Sequence, residues 1–262
     1  MDLKNSTILI TGGTSGIGLE LVKQLSEQGS TIIVTGRNPE ALNETKKKFP
    51  GIHTFQSDVS NPKEIEQLYK DVTRQFPDLN IIINNAGLMR LIDLQDTSLD
   101  LENINQEITT NLSGTIQMVH QFLPHLLQQK SAGIVNVSSG IAFMSYAPAP
   151  IYSATKAGVR AYTQALRLQL EDTSVKVFEM IPPGVKTNLQ NDWEKQPNEA
   201  MMMTADKMVK VVVDGMLKDR KELKPFVIRL IQFATKLVPN LLLKSGQQEF
   251  KAIKQLQNNK LA

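Results

Sequence analysis

Short runs of β-branched and aliphatic residues alternate along this chain with longer stretches in which apolar positions return every three or four residues. The runs at 7–11, 31–35, 53–56, 81–83, 133–137 and 175–180 read as strands, most of them buried. Between them, Ile17, Leu21, Val22 and Leu25 recur at helical spacing up to Gly29, and Ile65, Leu68, Tyr69 and Val72 line one face of 62–76. Helices are also predicted at 39–48, 152–170 and 205–218, and 99–129 reads as one or two helices punctuated by Pro124. Strands alternating with helices predict βαβ units: an α/β fold with a doubly wound parallel sheet and helices on both faces. No repeat or low-complexity linker divides residues 1–262, which are read as a single domain.

The last third is less regular. Residues 188–203, with Trp193 and three consecutive methionines, read as a loop over a substrate site. Residues 225–244 are apolar, interspersed with Arg229, Lys236 and Lys244 and broken by Pro239. Three readings stand for this tail: a helix pair packed on the domain, a dimer surface, or a membrane-interface anchor. Packing against protein is the foremost and the anchor the minority reading.

Composition excludes several classes. With no cysteine, disulfides, thiolate metal sites and a cysteine nucleophile are ruled out. His53, His120 and His125 lack metal-ligand spacing, so no metal is expected. The net charge of +3 is too small for a nucleic-acid footprint. The chain runs straight into its first strand without a signal-peptide-like stretch, and no run of about 18 apolar residues occurs, so a cytoplasmic protein is expected.

The first strand ends in Thr11-Gly12-Gly13-Thr14-Ser15-Gly16-Ile17-Gly18 and a helix follows. Glycines there let the backbone approach a pyrophosphate, and the helix N-terminus favours the anion. About 20 residues on, an acidic residue would hold an adenosine ribose 2′-hydroxyl. This chain has Thr35-Gly36-Arg37-Asn38 instead, and the Arg37 fork suits a 2′-phosphate, which predicts NADP(H) over NAD(H). Tyr152 and Lys156 stand four apart and share a helix face. An ammonium near a phenol favours the phenolate, so the Tyr152 pKa is expected to fall toward working pH, fitting the phenol for general acid/base work. Alone, such a pair is an ordinary solvated face.

Taken with Asp58-Val59, Asn84-Asn85-Ala86-Gly87, Asn111, Ser138-Ser139 and a Pro-Gly segment after the sixth strand, these motifs resemble the short-chain dehydrogenase/reductase family in its classical branch, over roughly residues 5–190. The resemblance implies that Tyr152 is the general acid/base and that Lys156 lowers its pKa and binds the nicotinamide ribose. It implies that Ser139, 13 residues before Tyr152, binds the substrate oxygen while Ser138 faces the sheet or holds the loop. Asn111 would hold a water in a proton relay to Lys156. Gly12, Thr14, Ser15, Gly16, Ile17 and Gly18 would cradle the cofactor, with Arg37, Asp58, Val59, Asn85, Ala86 and Gly87 on its adenosine side. Pro182, Val185 and Thr187 would border it, Thr187 at the carboxamide.

The segment Pro182-Pro183-Gly184-Val185-Lys186-Thr187 puts Pro183 at the family's usual glycine and looks like the DltE-like oxidoreductases of bacteria. The family's last strand is absent, with Glu222-Leu223-Lys224 as a short replacement, which weakens the case for the family's tetramer and leaves a homodimer through the helices of Asn111 and Tyr152. Leu88, Met89, Ile141, Phe143, Met144, Tyr146, Pro148 and Ile151, with the 188–203 loop, are expected to line the substrate pocket. The resemblance thus implies an NADP(H)-dependent oxidoreductase acting on a small carbonyl or secondary alcohol. A non-catalytic NADPH-binding or membrane-surface protein is the alternative; an isomerase on the same scaffold ranks third.

Overall fold

The computed structural model describes residues 1–190 and 202–261. The first half of the chain runs β1 (Thr7–Thr11), α1 (Gly16–Glu27), β2 (Thr31–Gly36), α2 (Pro39–Lys48), β3 (His53–Gln56), α3 (Pro62–Gln75) and β4 (Leu79–Asn84). The second half adds α4 (Leu101–Glu107), α5 (Gly114–Leu126), β5 (Ala132–Val137), α6 (Pro150–Gln169), β6 (Val175–Met180), α7 (Ala205–Leu217), β7 (Glu222–Leu223), α8 (Phe226–Leu237) and α9 (Pro239–Leu261).

All five residues of β1 are buried because both of its faces are covered. Ile8 and Ile10 join Leu21, Val22 and Leu25 of α1 and Val209 and Val212 of α7 in one core. Leu9, pointing the other way, joins Leu68 and Val72 of α3 and Val119 and Phe122 of α5 in the second. Helices α2 and α3 start alike, each with an asparagine cap before a proline: Asn38 accepts from the Ala41 amide and Asn61 from that of Lys63. The sheet is parallel throughout, in the order β3-β2-β1-β4-β5-β6-β7. The chain builds outward from β1 through β3, then returns to lay β4 on the other side. The crevice beyond the carboxyl ends of β1 and β4 is therefore the switch point, where open α/β sheets bind ligands.

The structure corrects the expectation at Pro124. The chain passes through that residue inside α5, near its end, where a proline removes only one late hydrogen bond. The interruption lies upstream, in a π-helical turn at Ile108–Ser113. That turn carries Asn111, and the Thr115 hydroxyl donates to the Asn111 carbonyl oxygen at 2.8 Å.

The short replacement for the last strand is β7, two residues paired to β6 through Glu179 and Met180. Arg160 of α6 fastens it: its guanidinium donates to Glu179 at 2.7 Å and to Glu222 at 3.3 Å. The tail breaks before Pro239 as expected, and α8 and α9 meet at 107°. Packing on the domain describes only part of it. Ile228 and Ile253 are buried, yet Phe226, Leu230, Phe233 and Leu237 are exposed. Of the expected substrate loop, Asn188–Gln190 form a short 3-10 turn and Met203 bridges to Val185. Trp193 and the rest of 191–201 lie outside the described residues.

Candidate active site

A cavity of about 610 Å³ opens at the switch point. Its floor at one end is the glycine-rich turn between β1 and α1. Helix α1 begins there with Ser15 as its N-cap, without a side-chain cap or an acidic residue in the first turn. The leading N–H groups of α1 thus face the cavity with no anionic side chain to meet them, a setting that favours a bound anion. Gly18 is fixed by close approach: a Cβ there would lie 2.1 Å from the Gly12 carbonyl oxygen and 2.6 Å from the Asn85 Nδ2. Asn85 ties the turn to the end of β4, donating to the carbonyls of Thr11 and Gly12 at 3.0 and 3.1 Å.

Gly12, Thr14, Ser15, Gly16, Ile17 and Gly18 all line this end. Arg37, Asp58, Val59, Asn85, Ala86 and Gly87 also line the cavity, as do Pro182, Val185 and Thr187, the last beside Gly16. Arg37 follows β2, its side chain is 66% exposed, and its guanidinium is 3.8 Å from the Asp58 carboxylate. That carboxylate is also the acceptor for the Ser60 amide and hydroxyl at 2.8 Å. The cradle and the uncapped helix start fit the pyrophosphate of a dinucleotide, and Arg37 stands at the same cavity with its guanidinium largely exposed beside Asp58.

At the other end Ser139, Tyr152 and Lys156 converge on the same cavity. Ser139 stands two residues beyond β5 and caps the short turn Gly140–Phe143, accepting from the Ile141 amide at 3.3 Å. The two serines separate as expected: Ser138 is wholly buried and donates to Glu179 Oε1 at 2.6 Å. Tyr152 lies in the first turn of α6, buried against Met89 and Ala149. Lys156, one turn on, is buried and donates to the Val137 carbonyl at 2.8 Å.

The expected fall in the Tyr152 pKa does not appear. Burial pushes the phenol above its ordinary value; a hydrogen bond with Ser139 opposes this, and the charge of Glu107 adds to it. Burial also lowers Lys156 to about 8. The ammonium is 5.6 Å from the phenol ring centre, and desolvation of the phenol outweighs it.

Asn111 does not line the cavity but stands behind its wall, 0% exposed. Its side chain clamps Leu88, accepting from the amide and donating to the carbonyl, both at 2.9 Å, and donates to Thr155 Oγ1 at 3.2 Å. Gly87 keeps a space open beside it: a Cβ there would lie 3.1 Å from Asn111 Oδ1 and 3.6 Å from Lys156 Nζ.

The sequence reading passed over Glu107. This carboxylate is 0% exposed, accepts from the Arg90 amide at 3.0 Å, and has the Arg90 guanidinium 3.7 Å away. Its Oε2 has no hydrogen-bond donor, and burial raises its pKa. Its position one helical turn before Asn111 was the available signal.

Of the expected pocket residues, Leu88, Met89, Ile141, Met144 and Tyr146 line the cavity. Phe143, Pro148 and Ile151 do not. Phe143 instead lies under the Arg160 guanidinium, 4.3 Å from ring centre to carbon. Pro148 accepts from the Ile92 amide at 2.9 Å in the loop beyond β4. Ile231, a tail residue, was missed and completes the wall.

The short chain dehydrogenase family profile matches residues 6–198. The chain is 40% identical over 224 residues to the uncharacterized oxidoreductase DltE of Bacillus subtilis, covering 85% of this chain and 89% of that one. Its fold is similar to that of a short chain dehydrogenase/reductase from Burkholderia phymatum in complex with NAD, with TM-score 0.80, 19% identity, and 90% and 95% of the two chains covered. It is also similar to a short chain dehydrogenase from Burkholderia cenocepacia in complex with NADP, with TM-score 0.79, 22% identity, and 92% and 97% covered. The switch-point cavity, the motifs that line it and these likenesses agree: the chain belongs to the short-chain dehydrogenase family of oxidoreductases, in its DltE-like branch.

Proposed function

We propose that this protein is an NADP(H)-preferring reductase of small apolar aldehydes or ketones, with Tyr152 as the proton donor. The observation that carries this reading is the convergence of Ser139, Tyr152 and Lys156 on the far end of the cavity whose near end is the glycine cradle. When bound, the nicotinamide supplies the hydride. Arg37 holds the 2′-phosphate, and the start of α1 holds the pyrophosphate.

The protein's own part is charge and proton management at the carbonyl oxygen. Ser139 donates a hydrogen bond to that oxygen as negative charge builds there. Tyr152 gives it a proton. A phenol whose burial keeps it protonated at neutral pH is in the right state to donate, which favours reduction. Lys156, with a pKa of about 8, is still mostly charged at neutral pH and stabilises the phenolate left behind. Asn111 positions Leu88 and the Gly87 space. Its side-chain amide is engaged there, so its backbone carbonyl, which accepts from the Thr115 hydroxyl, is its route into a proton relay. Leu88, Met89, Ile141 and Ile231 give the substrate end an apolar lining suited to an uncharged substrate.

The test is a panel of aldehydes and ketones, with oxidation of NADPH and of NADH followed side by side. Turnover of uncharged carbonyls with a preference for NADPH is expected. Equal efficiency with both cofactors removes the Arg37 assignment, and no turnover with any carbonyl removes the reductase reading.

A further inference from the structure

The positive charge of this protein is concentrated in its tail. Residues 225–262 hold six basic residues and one acidic residue, Glu249, whereas the whole chain is only +3, so residues 1–224 are net acidic. Apolar exposure is concentrated in the same place. On α8, Phe226, Leu230, Phe233 and Leu237 follow at intervals of four, three and four residues and form one stripe. They are 69, 53, 64 and 64% exposed. The opposite face meets the domain: Ile228 packs over Gly140 and Ile231 lines the cavity. Beyond the bend, Val238, Leu241 and Leu243 continue the exposed apolar surface. Arg229 and Lys236 each stand three residues after a phenylalanine of the stripe, Lys244 closes the patch, and all three are exposed.

An uncovered apolar stripe edged by cations matches the boundary between headgroups and acyl chains of an anionic bilayer. A second copy of this patch matches less well. It would bring two sets of the cations Arg229, Lys236 and Lys244 together, and Glu249, the tail's one side-chain carboxylate, is already beside Tyr146, whose pKa its charge helps to raise. A straight span does not fit: no single helix among the described residues is long and apolar enough to cross a bilayer, and α8, of 12 residues and about 18 Å at 1.5 Å per residue against a hydrocarbon core of about 30 Å, meets α9 at 107°.

We propose that α8 and the start of α9 dock this protein on an anionic lipid surface. Phe226, Leu230, Phe233 and Leu237 enter the acyl boundary, and Arg229, Lys236 and Lys244 meet the headgroups. The docking helix is also a cavity wall, through Ile231.

The experiment is co-sedimentation of the full chain with vesicles of phosphatidylcholine, with and without phosphatidylglycerol, at low and high salt. Binding to the anionic vesicles that weakens as salt rises is expected. The triple variant Phe226→Ser/Phe233→Ser/Leu237→Ser should lower the partition at least about tenfold, because it deletes the buried apolar area. Arg229→Gln/Lys236→Gln/Lys244→Gln should lower it by about tenfold or more through lost attraction to the headgroups. The charge variant deletes no apolar side chain, so it keeps the test open if the serine variant misfolds by circular dichroism. Absence of binding to anionic vesicles, or binding unaltered in the folded variants, overturns the proposal. So does a dimer in sedimentation equilibrium that the serine variant dissociates while the wild type ignores vesicles, since a second copy is then the occupant.

Discussion

Lys156 stands one helical turn beyond Tyr152, yet its ammonium donates to the Val137 carbonyl at 2.8 Å and lies 5.6 Å from the centre of the phenol ring. The two groups therefore act separately in the free protein: burial holds the phenol protonated and brings the lysine down to about 8. Lys156 is the first of the two to titrate as pH rises. The pH profile of kcat/KM for NADPH reports groups of the free enzyme. It is predicted to be level around neutral pH and to fall above about pH 8 as the lysine loses its charge. A profile level beyond pH 10 would contradict this assignment.

The same depressed pKa has a sign for stability. The unfolded lysine has its ordinary value of 10.5 and the folded one about 8, so folding disfavours the charged form. That penalty is fully present below pH 8 and is relieved as pH rises toward 10.5. Lys156→Met is predicted to raise the midpoint of thermal unfolding at pH 7 and to narrow its difference from the wild type at pH 10. A midpoint lowered equally at both pH values would show that packing, not charge, is what Lys156 contributes.

Arg37 has a largely exposed guanidinium with only a 3.8 Å approach to Asp58, so Arg37→Asp leaves the fold intact. A charge-assisted hydrogen bond contributes about 1.5–3 kcal/mol. The substitution should therefore lower kcat/KM for NADPH by roughly ten- to a hundredfold and leave NADH little changed. Parallel steady-state kinetics with both cofactors check it. An equal effect on both would mean that Arg37 does not read the 2′-phosphate.

How far the sequence carried depended on whether a feature was local. The β-branched runs, the helices starting at Pro39 and Pro62 and the glycine turn are written in neighbouring residues, and each lies where the pattern placed it. The convergence of turn, Ser139, Tyr152 and Lys156 on one cavity follows from the parallel topology those runs imply. What escaped depends on distant contacts. The direction of the Tyr152 shift is set by burial, which four-residue spacing does not report. Phe143 faces Arg160 rather than the pocket because Arg160 is fixed between Glu179 and Glu222, residues far along the chain. Ile231 reaches the cavity from a tail whose helices bend by 107°, a geometry that composition does not contain.

Arg160 makes the case for such long-range contacts testable. Glu179 is fully buried, and Arg160 is its ion-pair partner at 2.7 Å. Removing the partner of a buried charge costs about 3–5 kcal/mol. Arg160→Ala should lower denaturant stability by an amount of that order and loosen the β6–β7 edge. A loss within experimental error would mean that Ser138 alone satisfies the carboxylate.

The central claim is that Tyr152 donates the proton in a site that binds NADPH independently of it. Its most direct measurement pairs the turnover of Tyr152→Phe on the best carbonyl substrate with its NADPH affinity by calorimetry. Loss of a positioned general acid lowers rates by about 10²- to 10⁴-fold, and the ring's packing against Met89 and Ala149 survives the change. Turnover reduced by that factor with NADPH affinity within about threefold of wild type, a difference under 1 kcal/mol, is the predicted result. Turnover near the wild-type rate would contradict the account.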